Sequence, residues 1–291
     1  MVLGVTLGDG LELAFELACG LPSSQMWVSR EEPSQFMLDP ELKEEQLDVV
    51  EGGGRHAAAQ RKNASAWLRD GDGKRVEYPV ELRTAESVLS QLQDSHRYPL
   101  LSVLRQELLS WRFYHHFRTD VEAPLRQPQV GIQTPVLGPD GRDLAAALET
   151  IREIGDLAGL EEAIDRAFPG SRLVVESPGA RFQVALTMPG ISRPLMGTEL
   201  SDGTLRYLCL LAALMSPRPP SLLALNEPET SLHPDLLPAL AALIADASRR
   251  SQVLVTTHSE ALARGIADLT GTAPVLLEKV DGRTRVVEEV R

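Results

Sequence analysis

In the last quarter of the chain, short apolar runs alternate with amphipathic stretches. The runs Leu222 to Leu225 and Val253 to Thr256 are almost wholly apolar, which is typical of strands buried in a parallel sheet. The stretches Asp235 to Ala247 and Glu260 to Ala267 carry apolar residues at helical spacing. Strand, helix, strand and helix in this order predict the βαβ arrangement of a parallel α/β core.

Runs of partly alternating apolar residues, joined by glycine-containing turns, predict β-hairpins at three places. They are Val2 to Leu7 with Leu11 to Leu17, Arg172 to Val175 with Phe182 to Thr187, and Val275 to Lys279 with Thr284 to Glu289. From Leu21 to Lys74 the alternation weakens, and acidic and glycine-rich pieces predict short strands and loops. Trp67 is the expected buried anchor of that region.

Helical spacing dominates the middle of the chain. Ala85 to Phe117 is predicted to be helical with an interruption at Tyr98-Pro99, because a residue before proline is pushed out of the helical conformation. Ala123 to Gly141 is rich in proline and glycine and predicts an extended linker. Three further helices are expected, from the N-cap Asp143 to Ile154, from Leu160 to Phe168, and from Ser201 to Leu214.

The composition excludes several classes of protein. The 291 residues contain no apolar run of the ~20 residues that a membrane span needs, and the N-terminus lacks the pattern of a secretory signal. With only Cys19 and Cys209, a disulfide framework is not expected, which favours a cytoplasmic protein. A net charge of −12 disfavours non-specific coating of nucleic acid, although it leaves room for a local basic groove.

Polar side chains follow both predicted parallel strands directly. Asn226 and Glu227 follow the first strand, and His258 follows the second. Ligands of open α/β sheets bind at this carboxyl edge. Glu227 is therefore placed to orient a water for attack on a γ-phosphate, and His258 to donate a hydrogen bond to it. Taken singly, an exposed turn glutamate and a structural histidine explain these residues as well.

The segment Leu200-Ser201-Asp202-Gly203 opens an apolar helix. A helix N-terminus presents unpaired N–H groups and a positive dipole end, both of which suit a phosphate. Ser201 adds a hydroxyl, and Gly203 permits close approach of the backbone. Taken alone, this segment is better explained by an N-capped helix that binds nothing, and the polar turn Ser231 to Pro234 carries little information by itself.

In this fixed order, the elements resemble the ATP-binding-cassette type of ATPase head, which is found in transporters, in SMC and RecF-like proteins and in bacterial AAA-type ATPases. Leu200 to Thr204 resembles the signature loop, and Leu222 to Glu227 resembles the Walker B strand with its catalytic glutamate. Ser231 to Pro234 is similar to the D-loop and His258 to the switch histidine. Residues 199–266 carry the strong part of the resemblance, with weaker support back to Trp111-Arg112-Phe113-Tyr114 and Gly138 to Gly141. The match is closest to the RecF-like AAA-type ATPases.

The resemblance implies an α/β fold with a P-loop NTPase-like core that has a parallel sheet, antiparallel β-hairpins and a helical insertion. Three parts are expected: a hairpin-rich part of the ATPase lobe at residues 1–84, a helical insertion at 85–170, and the C-terminal ATPase core at 171–291. ATP, Mg²⁺ and a head-to-head homodimer around ATP are also implied, without membrane association.

On this resemblance, Glu227 is the expected general base and His258 the sensor of the γ-phosphate. The expected nucleotide-binding residues are Ser201, Asp202, Gly203, Asn226 and Ser231. Asn226 departs from the family pattern, because it stands where an aspartate usually holds magnesium through water, and it brings no charge. Asp202 replaces a glycine and adds negative charge near a phosphate, unless its side chain turns away and caps the helix.

The phosphate loop Gly-x-x-x-x-Gly-Lys-Ser/Thr has no match in the sequence. The nearest string, Gly71-Asp72-Gly73-Lys74, continues with Arg75 and fits a hairpin turn. Hydrogen bonds to charged groups contribute about 1.5–3 kcal/mol each, so losing three or four removes roughly 5–10 kcal/mol. A micromolar complex has only about 8 kcal/mol in total, so weak ATP binding is expected of the chain as given. We expect a shortened or misassigned N-terminus, so that the first part of the fold is missing, rather than a degenerate head.

An alternative is a non-catalytic module with the same fold that binds protein or DNA. Arginines and aromatic residues are mixed in the middle of the chain, which is compatible with a nucleic-acid surface. They are Arg105, Arg112, Arg118 and Arg126, with Trp111, Phe113, Tyr114 and Phe117. Interleaved acidic residues argue against this surface, and the aromatic residues are more simply core. A transporter motor and a fused nuclease are both disfavoured.

Overall fold

The computed structural model describes residues 2–6, 10–21 and 39–287, and the chain divides into two compact units, 1–109 and 110–291. The first unit contains an antiparallel six-stranded sheet whose order in space follows the sequence. Its strands are β1 (Val2–Thr6), β2 (Glu12–Gly20), β3 (Glu41–Glu51), β4 (Gly54–Lys62), β5 (Ser65–Arg69) and β6 (Arg75–Glu77). Two helices follow, α1 (Val88–Gln91) and α2 (Pro99–Ser110).

Short turns make this sheet a meander. Gly52 and Gly53, with φ of 58° and 80°, join β3 to β4, and Gly73 at φ 78° lies between β5 and β6. The first predicted hairpin is confirmed as β1 and β2, although its turn residues Gly8 and Asp9 lie outside the described residues. The string around Gly73 is a hairpin turn, as the sequence predicted.

The prediction of short strands and loops from Leu21 to Lys74 is wrong in its described part, because β3 and β4 have 11 and 9 residues. Their alternation is hidden in the sequence for two reasons. Glu45, Asp48 and Arg61 are polar but buried, and a β-bulge shifts the register after Leu47. Trp67 is half-buried rather than buried, with the Arg75 guanidinium 4.2 Å from its ring centroid. Residues 22–38 of that prediction lie outside the described residues.

The second unit is built around three parallel strands in the order β13-β12-β7. They are β7 (Arg112–Tyr114), β12 (Leu222–Asn226) and β13 (Gln252–Thr256). The predicted helix to Phe117 is therefore wrong beyond Ser110, since the chain leaves the helix and pairs with β12. Helical spacing in the sequence does not reveal this, because strand pairing with distant residues overrides local preference.

Helices and short antiparallel strands complete the second unit. The helices are α3 (Leu144–Ile154), α4 (Leu157–Ala167), α5 (Asp202–Leu214), α6 (Leu237–Ala247) and α7 (Glu260–Thr270). The remaining strands are β8 (Gln129–Val130), β9 (Arg172–Glu176), β10 (Arg181–Thr187), β11 (Leu195–Met196), β14 (Leu277–Val280) and β15 (Arg283–Val286). The hairpins β9–β10 and β14–β15 confirm the other two predictions, except at residues 288 and 289, which lie outside the described residues.

Helix α5 lies in the core of the second unit. Every residue from Leu205 to Leu214 is buried, and the helix packs against α3 and α6. Its N-cap is Ser201, whose hydroxyl accepts a hydrogen bond from the Thr204 backbone N–H at 3.1 Å. The buried helix therefore fixes where the segment from Ser201 to Gly203 lies.

Two local predictions need correction. Asp143 stands before α3 but makes no side-chain cap, because its carboxylate accepts the Gly138 backbone N–H at 3.0 Å. The stretch from Ala123 to Gly141 is not an extended linker, since Leu125 and Leu137 are buried and Pro124–Arg126 forms a 3₁₀ turn. The predicted three-part division of the chain stays a prediction.

The α/β class, with a parallel core and antiparallel hairpins, is confirmed. Among the described residues, no helix combines the length and apolar character that crossing a membrane requires.

Candidate functional site

The carboxyl ends of the three parallel strands gather polar side chains at one edge of the sheet. His115 follows β7, Asn226 ends β12 with Glu227 after it, and Thr256 ends β13 shortly before His258. Because β12 lies between the other two strands, its end is flanked on both sides. This edge is where open α/β sheets place their ligands.

Glu227 and His258 contact each other at this edge. The His258 Nε2 lies 3.3 Å from the Glu227 Oε1, and both side chains reach solvent, with 89% and 44% of the His258 and Glu227 side chains exposed. Glu227 has a φ of 45°, a left-handed conformation that is uncommon outside glycine. Its N–H donates to the Thr256 carbonyl at 2.8 Å, which holds this conformation in place. The two expected catalytic residues are thus adjacent and accessible.

Asn226 is held by both neighbouring strands. Its Nδ2 lies 2.8 Å from the His115 Nδ1, and its Oδ1 accepts the Thr256 hydroxyl at 2.6 Å. These contacts fix the orientation of the amide across the sheet edge. The amide oxygen keeps one lone pair for a further donor such as water.

The residues at this edge do not form a metal site of their own. Within the described part of the chain, no group of three or more His, Cys, Asp or Glu residues could hold a metal ion. Asn226 is neutral and already bonded through both amide atoms, and Glu227 lies against His258. The expected weak holding of Mg²⁺ by Asn226 through a water stays a prediction, for which the amide oxygen keeps one lone pair.

Gly203 and Ser231 lie against each other. A Cβ built on Gly203 would approach the Ser231 carbonyl oxygen to 2.7 Å, so only glycine fits this contact without a shift. Ser231 has a φ of 65° and is exposed. The start of α5 is therefore packed on the loop that follows Glu227.

Asp202 turns away from the start of α5 but does not cap the helix. Its carboxylate pairs with Arg126 at 2.5 Å, while Ser201 provides the cap. Arg126 is buried and also donates to the carbonyls of Gly197 and Leu200 at 2.9 and 2.8 Å. The negative charge that the sequence placed near a phosphate is thus compensated by a neighbouring cation.

Some of the residues suggested for a nucleic-acid surface are not accessible or are already paired. Arg126, Tyr114 and Phe117 are buried, and Arg118 pairs with Asp120 at 2.7 Å. Two of the four aromatic rings and one arginine are therefore not available for stacking or phosphate contact, whereas Phe113 is exposed, and DNA binding stays a prediction.

Sequence reasoning missed four residues of this region: His115, Thr256, Arg206 and Glu229. The sequence offers a signal for Glu229, because it is the second glutamate of Asn226-Glu227-Pro228-Glu229 and lies two positions after the expected base. Its Oε1 accepts the Thr257 hydroxyl at 2.5 Å and the His258 N–H at 3.0 Å. His115 could have been found only by recognising β7 as a strand.

Burial governs ionisation inside α5. Burial lowers the pKa of Arg206, against the opposing effect of Cys209, Glu229 and Glu227. Burial likewise raises the pKa of the Cys209 thiol. Cys209 is therefore an inert core thiol, whereas Arg206 is a costly buried cation close to two carboxylates.

Comparison with solved structures finds SMC head domains at low identity. The "SmcHead bound to the C-winged helix domain of ScpA" is 14% identical with a TM-score of 0.44, and the match covers 95% of this chain and 73% of that one. The head domain of Thermotoga maritima SMC is 16% identical with a TM-score of 0.38, covering 84% and 73%. The Pyrococcus furiosus Smc head is 17% identical with a TM-score of 0.38, covering 48% of this chain and only 35% of that one.

No curated protein matches the chain. A family model described as "AAA domain, putative AbiEii toxin, Type IV TA system" matches residues 72–264, about two thirds of the 291 residues. The match includes α5, β12, β13 and the polar residues at their ends. The chain therefore belongs to this family of AAA domains, which confirms the predicted AAA-type ATPase head.

Proposed function

We propose that the chain is the ATP-binding and ATP-hydrolysing head of a RecF/SMC-like AAA-type ATPase. The observation that carries this proposal is the contact between Glu227 and His258, 3.3 Å apart at the carboxyl edge of a parallel sheet. The family match gives the class of the domain, and this contact supplies an accessible acid and imidazole in one place. The proposal includes a cytoplasmic protein that acts as a head-to-head homodimer around ATP.

Glu227 is the proposed general base. Its carboxylate is partly exposed and belongs to a loop held by the Thr256 carbonyl, so it can orient a water without losing its own position. His258 touches the same carboxylate and is almost fully exposed, which suits a donor to the γ-phosphate. Positioning and charge stabilisation, rather than covalent chemistry, account for most catalysis of phosphoryl transfer.

Ser201, Gly203 and Ser231 are the proposed contacts to a nucleotide held by the opposite head. All three lie at the start of α5 or against it, where backbone N–H groups and the helix dipole favour a phosphate. Asp202 does not oppose this, since Arg126 compensates its charge. The sequence contains no phosphate loop with a lysine, so weak nucleotide binding by the chain as given is part of the proposal.

Magnesium, when bound with ATP, would screen the charge of the phosphate oxygens. In this proposal Asn226 contributes through its remaining lone pair and a water. His115 and Thr256 would keep the amide oxygen directed along the sheet edge.

The test is Glu227→Gln in the full-length protein. We expect the variant to bind ATP as the wild type does, to accumulate as a nucleotide-bound dimer in size-exclusion chromatography, and to lose turnover. Glu162→Gln, on the exposed face of α4 and paired with Arg166, is the matched control and should turn over ATP normally. Unchanged turnover in Glu227→Gln would remove Glu227 from its role. A wild-type chain that neither binds nor hydrolyses ATP would favour a non-catalytic module that binds protein or DNA.

A further inference from the structure

One oxygen of Glu229 holds the segment that carries His258. The Glu229 Oε1 accepts the Thr257 hydroxyl at 2.5 Å, the His258 N–H at 3.0 Å and the Ser259 N–H at 3.2 Å. Hydrogen bonds to a carboxylate are roughly twice as strong as those between neutral groups. The backbone of His258 is therefore fixed by the side chain of a residue on the neighbouring loop.

The other oxygen of Glu229 has no such role. Oε2 is buried and has no hydrogen-bond partner among the residues that the structure describes. Buried carboxylate oxygens are almost always paired, so an orphaned one next to a proposed site needs a reason.

Arg206 is the second residue near the site with a buried polar atom that makes no hydrogen bond among the described residues. Only 6% of the residue is exposed, and its Nε is buried without a partner in the described part of the chain. Its Nη2 reaches the Glu227 carbonyl at 3.3 Å, which is long for a charged donor. A buried cation and a buried carboxylate oxygen thus lie around the same loop, each with unused bonding capacity.

The start of α5 connects this pair to the proposed nucleotide contacts. Arg206 follows Gly203 by about one helical turn, and Gly203 packs directly on the Ser231 carbonyl. Because that contact joins backbone to backbone, a displacement of the helix start moves the loop between Glu227 and Ser231 as well. Arg206 lies on the α5 side of this backbone contact, and Glu229 lies on the loop side.

We infer that Glu229 is a positioning residue for His258, and that Arg206 is the cation that bonds the free Glu229 oxygen when a phosphate group binds at the start of α5. This hydrogen bond between Arg206 and Glu229, called the link below, is not formed in the structure. Its formation would couple phosphate binding at the Ser201–Gly203 segment to the position of His258. This inference deepens the proposed function and rests on it for its catalytic consequence. The contacts between Glu229 and the segment before α7 exist independently of it.

The first test measures amide hydrogen exchange in the peptide spanning residues 257–262, without nucleotide. Glu229→Ala removes the acceptor, and exchange at His258 and Ser259 should rise roughly tenfold or more. Glu229→Gln keeps an acceptor oxygen and should restore near-wild-type exchange. Arg250→Met is the control, because Arg250 caps the far end of α5 through the Leu214 and Ser216 carbonyls. Equal exchange in Glu229→Ala and the control would overturn the positioning role.

The second test measures ATP turnover in Glu229→Gln, Arg206→Met and the double variant. Each single variant should lower kcat by about tenfold with little change in KM, and the double variant should lose little more, since both remove one contact. Losses that multiply in the double variant would overturn the link. If the wild type shows no turnover, the proposed function fails and the link falls with it, while the exchange experiment still decides the role of Glu229.

Discussion

Each of the two units has a buried arginine and a glutamate with a buried carboxylate oxygen, and the two sets differ in how completely they are bonded. In the first unit, Arg61 and Glu45 have side chains 0% and 1% exposed and are paired at 2.9 Å. Arg61 also donates to the carbonyls of Asn63, Glu86 and Arg83, at 2.6, 2.6 and 2.8 Å. All three guanidinium nitrogens are thus bonded.

Glu45 is equally complete, since it accepts the Ser87 hydroxyl and the Val88 N–H as well. In the second unit, Arg206 is buried and Glu229 is half-buried, and within the described residues the buried Arg206 Nε and the buried Glu229 Oε2 have no hydrogen-bond partner. A fully bonded buried network fixes a single arrangement, whereas a partly bonded one leaves buried polar atoms with unused bonding capacity. The comparison separates a structural pair from one that is available for function.

The largest effect is expected for Arg61→Met. It leaves Glu45 buried without its cation, and breaking a buried pair in this way costs about 3–5 kcal/mol of unfolding free energy. Urea unfolding followed by tryptophan fluorescence measures it. Arg55→Met is the control, because Arg55 pairs with Glu16 on the surface, where such pairs contribute about 0.2–1 kcal/mol. Similar losses in both variants would contradict the structural role of the buried pair.

The second largest loss of unfolding free energy is expected for Gly203→Ala. The added Cβ would meet the Ser231 carbonyl oxygen at 2.7 Å, and overpacking of this kind typically costs about 1–3 kcal/mol. Gly265→Ala in α7 is the matched control, since its Cβ would meet only the Ala241 methyl, at 3.1 Å. Thermal unfolding of the two variants compares them. A Gly203→Ala variant no less stable than Gly265→Ala would show that the joint between α5 and the loop is loose.

The sequence predicted the parts of the site that depend on local pattern. Short apolar strands followed by polar residues placed Asn226, Glu227 and His258 at one sheet edge, and the structure brings them there. Ser201 as the start of a helix is equally local. In these cases the residue types and their spacing sufficed, because neighbours along the chain determine the geometry.

The parts that the sequence did not predict depend on distant contacts. From the sequence alone, Arg206 is predicted to lie on the exposed surface of a helix. It is buried because α5 packs against α3 and α6. His115 belongs to the site because β7 pairs with β12, more than a hundred residues later. The long strands β3 and β4 were missed because the buried pair of Arg61 and Glu45 breaks the apolar alternation that normally marks a strand.

A smaller loss of unfolding free energy is expected for Asp202→Asn. This change removes the ion pair between Asp202, which is exposed to solvent, and the buried Arg126. The Asp202 side chain is 62% exposed while that of Arg126 is 6% exposed, and Arg126 keeps its bonds to backbone carbonyls. The loss should be about 1 kcal/mol or less. Chemical unfolding of Asp202→Asn beside the wild type measures it. A loss as large as that of Arg61→Met would mean that Asp202 completes a buried pair after all.

The smallest effect concerns the surface pair of Arg193 and Glu199, in which both carboxylate oxygens accept hydrogen bonds, as those of Glu45 do, but in water. Two parallel hydrogen bonds from Arg193, at 2.6 and 2.7 Å, and one from the Met196 N–H lower the pKa of Glu199 to about 2 from its usual 4.5. A lowered pKa in the folded state stabilises the protein above pH 4.5, and that contribution is lost as the pH falls from 4.5 to about 2.

The difference in unfolding free energy between wild type and Glu199→Gln should therefore be greatest above pH 4.5 and shrink towards pH 2. An NMR titration of the Glu199 carboxyl group tests the same point directly. A midpoint near 4.5 would show that the two hydrogen bonds do not persist in solution. In that case complete bonding would distinguish structural pairs only where burial excludes water, which is the condition that Arg61 meets and Arg193 does not.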